Sequence, residues 1–182
     1  MEDSIKFRLA NAEDCSELLP ALLRRTFTDT FGHLYPPEEL EACLSSAYDP
    51  SVLRAEISDP RVRAWVVEDL TLDGVQAVAF AQVGPCRLPH AEASPEHFEV
   101  KRVYILKSHQ GQGLGRRIMD VVMEWGTSPA AGFSGPMWVG VYSANLRAQN
   151  LYSRYGFSKA GEYEFIVGQS RDREFIFKRE RA

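Results

Sequence analysis

Residues 100–125 read VKRVYILKSHQGQGLGRRIMDVVMEW. An apolar strand runs into a glycine-rich turn, Gln110-Gly111-Gln112-Gly113-Leu114-Gly115, and the turn opens a helix with Arg116 and Arg117 in its first turn. Three glycines on alternate positions remove the Cβ atoms that would hold a ligand away from the backbone. Several amide N–H groups can then face one anion, with the positive end of the helix behind them. The pattern points to a site for a phosphate or pyrophosphate group. A P-loop would continue Gly-Lys-Ser/Thr, and here Gly115 is followed by two arginines. A dinucleotide fingerprint needs G-x-G-x-x-G, and the third glycine comes one residue too early.

Residues 145–157, NLRAQNLYSRYGF, carry a second signal. Asn145, Ala148 and Tyr152 stand at i, i+3 and i+7 and so share one face of a helix. Small Ala148 lets a ligand approach, and Tyr152 sets a hydroxyl beside it. Arg147, Asn150 and Arg154 fall on another, solvated face.

The order Q-x-x-G-x-G after a strand resembles the coenzyme A pyrophosphate loop of the GNAT N-acetyltransferase superfamily. The second segment is similar to that family's N-x-x-A-x-x-L-Y-x-x-x-G-F helix, matched by Asn145, Ala148, Leu151, Tyr152, Gly156 and Phe157. The likeness extends over nearly the whole chain. FRLANAEDCSELLPALL resembles the first strand and helix. TFGHLYPPEEL, GPCRLP and GEYEFIVG resemble a bacterial subset often labelled as polyamine-type (spermidine/spermine) acetyltransferases.

The family resemblance implies acetyl-CoA as cofactor and a direct transfer of its acetyl group to an amine. The strand Val103-Tyr104-Ile105 would hold the pantetheine arm through main-chain groups, as an added β-strand would be held. Gln110, Gly111, Gln112, Gly113, Leu114, Gly115 and Arg116 would take the pyrophosphate. Arg116 can add a charge-assisted contact or remain a solvated first-turn arginine. Asn145 can bond the pantetheine, cap its helix, or both. Tyr152 is the candidate general acid, since a phenol with a pKa of about 10 can donate to a developing thiolate. Glu99, near the start of the same strand, is the candidate general base. Its alternatives are pairing with Lys101 or Arg102, or facing water. Tyr104 either lines the cleft or packs in the core.

Acceptor contacts are expected from the first two helices and their linker. Phe31, His33 and Tyr35 supply an aromatic wall, and Asp29, Glu38 and Glu39 lie close in sequence. An aromatic wall with acid nearby suits a cation. Glu38 and Glu39 also read as ordinary first-turn helix acids. The leading expectation is a small-molecule amine, a polyamine among them. A protein lysine or N-terminal acetyltransferase and a non-catalytic acyl-CoA-binding sensor are the alternatives. The family resemblance also allows a homodimer.

The chain of 182 residues suits a single N-acetyltransferase domain spanning 1–182. A formal charge of −4 makes it a poor non-specific nucleic-acid binder and a better host for a cation. No run of about 18 apolar residues signals a membrane span. MEDSIKF lacks a signal-peptide core, so a cytoplasmic location is expected. Cys15, Cys43 and Cys86 are widely spaced, with no metal-ligand pattern among them and the scattered histidines. Reduced thiols and no metal are expected.

Periodicity predicts a strand at 5–10 and a helix from about Asn11 to Thr30, kinked or starting late at Pro20. Helices are expected from Pro36-Pro37 and over 51–58. A strand pair at 61–69 and 75–83 should follow, joined around Leu72-Asp73-Gly74. Then come a loop at 84–96, the strand 98–106, and a helix burying Leu114, Ile118, Val121, Val122 and Trp125. The final elements are a strand at 137–142, a helix at 145–155, and a hairpin of 158–167 with 173–178. This order gives an α/β (α+β) fold with a mixed, mostly antiparallel sheet of about six to seven strands, flanked by helices. The resemblance adds that the middle strands, 98–106 and 137–142, splay apart.

Overall fold

The alternating pattern Ile5-Lys6-Phe7-Arg8-Leu9 forms the first strand, β1 (Ile5–Leu9), in the computed structural model of the protein. The structure describes residues 4–71 and 74–181. Leu72 and Asp73 of the expected turn lie outside them. The alternation is modified at its end. Leu9 is exposed, while Arg8 is drawn inward by ion pairs with Asp14 (2.7 Å) and Glu68 (2.5 Å).

Helix α1 (Leu18–Phe31) starts late, as Pro20 requires. Asn11 does not begin the helix. Its Oδ1 accepts from the N–H groups of Glu13 and Asp14, and Asp14 Oδ2 accepts from Asn11 N–H. This reciprocal arrangement closes a turn ahead of the helix. Pro20 then falls in the first helical turn, where its missing N–H has no intrahelical partner to lose. Helix α2 (Pro37–Ala47) opens with Pro37 at its first position, and α3 (Pro50–Ser58) is capped by Asp49, whose side chain accepts from Ser51 N–H.

Strands β2 (Arg63–Asp69) and β3 (Gln76–Pro85) are buried along almost their whole lengths, so both of their faces are covered. They are followed by β4 (Phe98–Ile105), α4 (Leu114–Thr127), β5 (Met137–Tyr142), α5 (Leu146–Arg154), β6 (Ser158–Val167) and β7 (Ser170–Arg179). The seven strands form one sheet in the order β1-β2-β3-β4-β5-β7-β6. β1–β2, β5–β7 and β6–β7 are antiparallel. β4 and β5 are parallel, which is why a whole helix, α4, separates them. The expected mixed, mostly antiparallel sheet flanked by helices is therefore present.

The chain clusters into two compact units, Met1–Gln82 with Arg102–Leu114, and Val83–Lys101 with Gly115–Ala182. In the second, α4 buries Ile118, Met119, Val122 and Met123. Val121 and Trp125, expected on that face, are only half-buried. The buried stripe is rotated toward the two methionines because Gly126 must meet the sheet. A Cβ at Gly126 would stand 2.7 Å from the Phe98 ring. Phe98 is itself enclosed by Trp125 (ring centroids 6.1 Å apart) and Phe133 (5.6 Å).

Candidate active site

The turn at 110–115 is built from both sides. Upstream, Gln110 Nε2 donates to the Ile105 carbonyl at 2.9 Å, and Gln110 N–H donates to Lys107 O. Gln112 Nε2 donates to Ser108 O at 2.9 Å, and His109 Nε2 lies 3.1 Å from Asp69 Oδ2. Both glutamine side chains therefore shape the turn. The contact to a ligand is left to backbone. Gly111 and Gly113 hold φ of 83° and 81°, the left-handed region that favours glycine. A Cβ on Gly113 would meet nothing within 4 Å, so open space lies over that glycine. Leu114 then starts α4, whose first N–H groups have no partner within the helix. Bare backbone, open space and a helix N-terminus fit a pyrophosphate. The Arg116 side chain beside them is exposed.

β4 divides in character along its length. Its ladder to β5 joins Phe98, Glu99 and Val100 to Met137, Trp138 and Val139. The next residues of the second unit, Lys101 and Gly140, are not paired, although β4 runs on to Ile105 and β5 to Tyr142. Val103, Tyr104 and Ile105 are half-buried. The hydroxyls of Tyr104 and Tyr48 are 3.3 Å apart, so Tyr104 joins a polar cluster of the first unit. In that cluster Arg102 bonds both Glu56 and Gln82, and Gln82 Nε2 donates to Glu56 at 3.1 Å. Burial, reinforced by Tyr104, pushes the Tyr48 hydroxyl well above the usual phenol range.

Glu99 is buried and paired. Its Oε2 accepts from Arg87 N–H at 2.7 Å and from Lys101 Nζ at 3.1 Å. The alternative pairing with Lys101 is thus the one seen; Arg102 goes elsewhere. Cys86 is buried close by, and desolvation pushes its thiol up to about 11.

In α5, Asn145 is the N-cap, with Oδ1 accepting from Ala148 N–H at 3.1 Å. Tyr152 is buried, its ring edge-on to Phe157 at 6.2 Å, while Arg147, Asn150 and Arg154 are exposed. Gly156, at φ 82°, ends the helix and turns Phe157 back under Tyr152. Tyr155, unremarked in the sequence, ties α5 to the start of α4. Its hydroxyl lies 2.6 Å from Asp120 Oδ1 and 2.9 Å from the Arg116 carbonyl oxygen. Burial and the Asp120 hydrogen bond push that phenol up to about 12.

Of the expected aromatic wall at the end of α1 and beyond it, two residues stay together and one does not. Phe31 and Tyr35 both pack on Phe27, at ring distances of 5.0 and 6.2 Å, and Tyr35 is buried. His33 is exposed. A further carboxylate went unnoticed in the sequence: Glu174 on β7, opposite Tyr142 of β5 and Tyr163 of β6. No signal in the sequence marked it, since the same strand face carries Ser170, Asp172 and Lys178 and only Ile176 on it is fully buried. The described residues contain no group of His, Cys, Asp and Glu able to hold a metal, and no helix long and apolar enough to cross a membrane.

The sequence profile of the acetyltransferase (GNAT) family matches residues 21–157. An uncharacterised N-acetyltransferase from Lactobacillus delbrueckii subsp. lactis is 27% identical over 96% of both chains. The PaiA N-acetyltransferase of Thermoplasma acidophilum, solved with coenzyme A, superposes with a TM-score of 0.74 at 16% identity, covering 98% of this chain and 100% of its own. The YncA structure from Salmonella typhimurium, solved with acetyl-CoA, gives 0.63 at 16% identity, covering 98% and 94%. At these identities the two structural likenesses establish the fold. None of these names specifies a polyamine acceptor.

Proposed function

This chain belongs to the acetyltransferase (GNAT) family and is an acetyl-CoA-dependent N-acetyltransferase; from that premise we propose that its acceptor is the primary amine of a small molecule. The observation that carries the cofactor assignment is the 110–115 turn, with two left-handed glycines, open space over Gly113 and a helix start. Acetyl-CoA supplies an activated acyl group with a thiolate leaving group. Gly111, Gly113 and the first N–H groups of α4 hold its pyrophosphate, and the main chain of Val103–Ile105 holds its pantetheine.

Tyr152 then donates its hydroxyl proton to the departing sulfur. Its support is the helix built around it, with Asn145 capping one end, Phe157 under the ring and Tyr155 bound to α4 at the other. Such bracing fixes a donor within the narrow geometry proton transfer needs. The Glu99 carboxylate is less suited to deprotonating the acceptor, because Oε2 is already engaged by two donors.

A thiol-release assay with acetyl-CoA and a panel of acceptors tests the proposal. The panel is 1,4-diaminobutane, spermidine, lysine ethyl ester and a short peptide with a free N-terminus. Turnover with the small amines, at least tenfold above the peptide in kcat/KM, is the expected result. Preference for the peptide would move the acceptor class to proteins.

A further inference from the structure

Glu174 stands where a carboxylate has little reason to be. It is half-buried on β7, in register with Tyr142 on one side and Tyr163 on the other. Paired residues share a sheet face, so the two tyrosines flank it. Its one hydrogen bond among the described residues is a long one, 3.5 Å from the Tyr163 hydroxyl. No cation among the described residues forms an ion pair with it. The other charges on this face give no help: Asp172, two residues back on β7, repels it, and Lys178 is engaged by Glu92 and Glu180. His90, from the loop after β3, lies farther along, against Gly161 and Trp138.

The position is tied to the catalytic helix. The Tyr142 carbonyl accepts from Asn145 N–H at 2.9 Å and from Gln149 Nε2 at 3.3 Å. The end of β5 that Glu174 faces is therefore the point from which α5, and Tyr152 with it, springs. Gly140, one step along the same face, lets the Tyr163 hydroxyl and Leu88 close in on β5 beside Glu174. A Cβ there would stand 3.0 Å from the Tyr163 hydroxyl and 3.2 Å from Leu88.

We propose that Glu174, between Tyr142 and Tyr163, is the acceptor-amine subsite, binding the ammonium group and taking its proton. The assignment rests on the reading of the protein as an amine acetyltransferase. The two rings suit a cation, and the carboxylate supplies the missing countercharge. In the transfer one N–H bond breaks and one O–H bond forms on Glu174. The electron pair stays on nitrogen, ready to attack the thioester carbonyl, and the acid later returns the proton to water. Burial, with Asp172 nearby, pushes this carboxyl up to about 7, within reach of its task near neutral pH.

The test compares wild type, Glu174→Gln and Glu174→Asp from pH 5.5 to 9, with acetyl-CoA and the best amine of the panel. For the wild type, kcat/KM for the amine should fall below about pH 7 through one ionisation. Glu174→Gln should lose that limb and at least tenfold in kcat/KM at pH 7.5, with the KM for acetyl-CoA within twofold. Glu174→Asp should keep the limb. A ligand-free readout accompanies the kinetics. A carboxyl raised in the folded state loses stability for the protein as pH climbs from about 4.5 through about 7. Urea denaturation should show Glu174→Gln gaining on the wild type across that window and level above it. An unchanged limb with kcat/KM within twofold in Glu174→Gln, or a flat stability difference from pH 4 to 8, overturns the assignment alone. No turnover of any small amine by the wild type overturns the small-amine reading of the acceptor, and this subsite with it.

Discussion

At the scale of the residue, the site depends on positions where a few atoms decide the outcome. Tyr152 is one. Replacing it with Phe keeps the ring against Phe157 and removes only the hydroxyl. If it is the proton donor, kcat should fall by about 100-fold or more while acetyl-CoA affinity changes little. Single-turnover kinetics at wild-type rate in Tyr152→Phe would return the residue to packing. Gly113 is the other. Its φ of 81° penalises any branched side chain, and the open space above it is where the ligand belongs. Gly113→Val should weaken acetyl-CoA binding at least tenfold, about 1.4 kcal/mol. Calorimetry on the variant, with circular dichroism showing it folded, reads this directly, and unchanged affinity would remove the turn from the site.

Elements hold these residues in place through close approaches. α4 meets the sheet at Gly126, where the Phe98 ring sits so near that a methyl group does not fit. Gly126→Ala favours the helix by about 1 kcal/mol in propensity. Overpacking against a ring already walled in by Trp125 and Phe133 costs about 1–3 kcal/mol. The net result should be a lower urea midpoint, and a midpoint raised above wild type would show that the ring can move aside. α5 shows the same logic with polar groups. Asn145 and Gly156 set its two ends, and both were legible from residue type, since an Asn cap and a left-handed Gly terminator are local devices. Tyr155 was not, because its partners Arg116 and Asp120 come from another helix. The kink or late start expected of α1 at Pro20 came out as a late start, with Asn11 and Asp14 closing a separate turn ahead of it.

For the molecule as a whole, stability at acid pH should depend on charges tying β1, the turn after it and β2 together. Arg8 holds both Asp14 and Glu68. Burial opposes the charge on Asp14, but the hydrogen bonds from Arg8 and Asn11 outweigh it and hold its carboxyl below the usual range. A depressed carboxyl stabilises the fold above its unfolded value of about 4, and the contribution is lost as pH falls through the lower folded value. Asp14→Asn should lower stability by about 2 kcal/mol at pH 7, since Arg8 keeps Glu68 and is itself partly solvated. The difference should shrink below about pH 4. A difference independent of pH from 2 to 7 would place its origin in packing rather than charge.

The glycine turn, the α5 helix and the order of strands and helices were determined by the sequence alone, and the resemblance carried by the first two pointed to the family and its acyl donor. Each rests on short-range requirements: glycine where φ is positive, alternation for a strand, a cap at a helix start. What tertiary structure decided are pairings between distant segments. Lys101 rather than Arg102 engages Glu99, because Arg102 is claimed by Glu56 and Gln82, far away in the chain. Tyr104 meets Tyr48, and Phe31 and Tyr35 collect on Phe27 while His33 does not. Glu174 gains its meaning only when β5 and β6 close on β7 from either side, since the environment of a carboxylate is set by what folding brings to it and not by its neighbours in sequence.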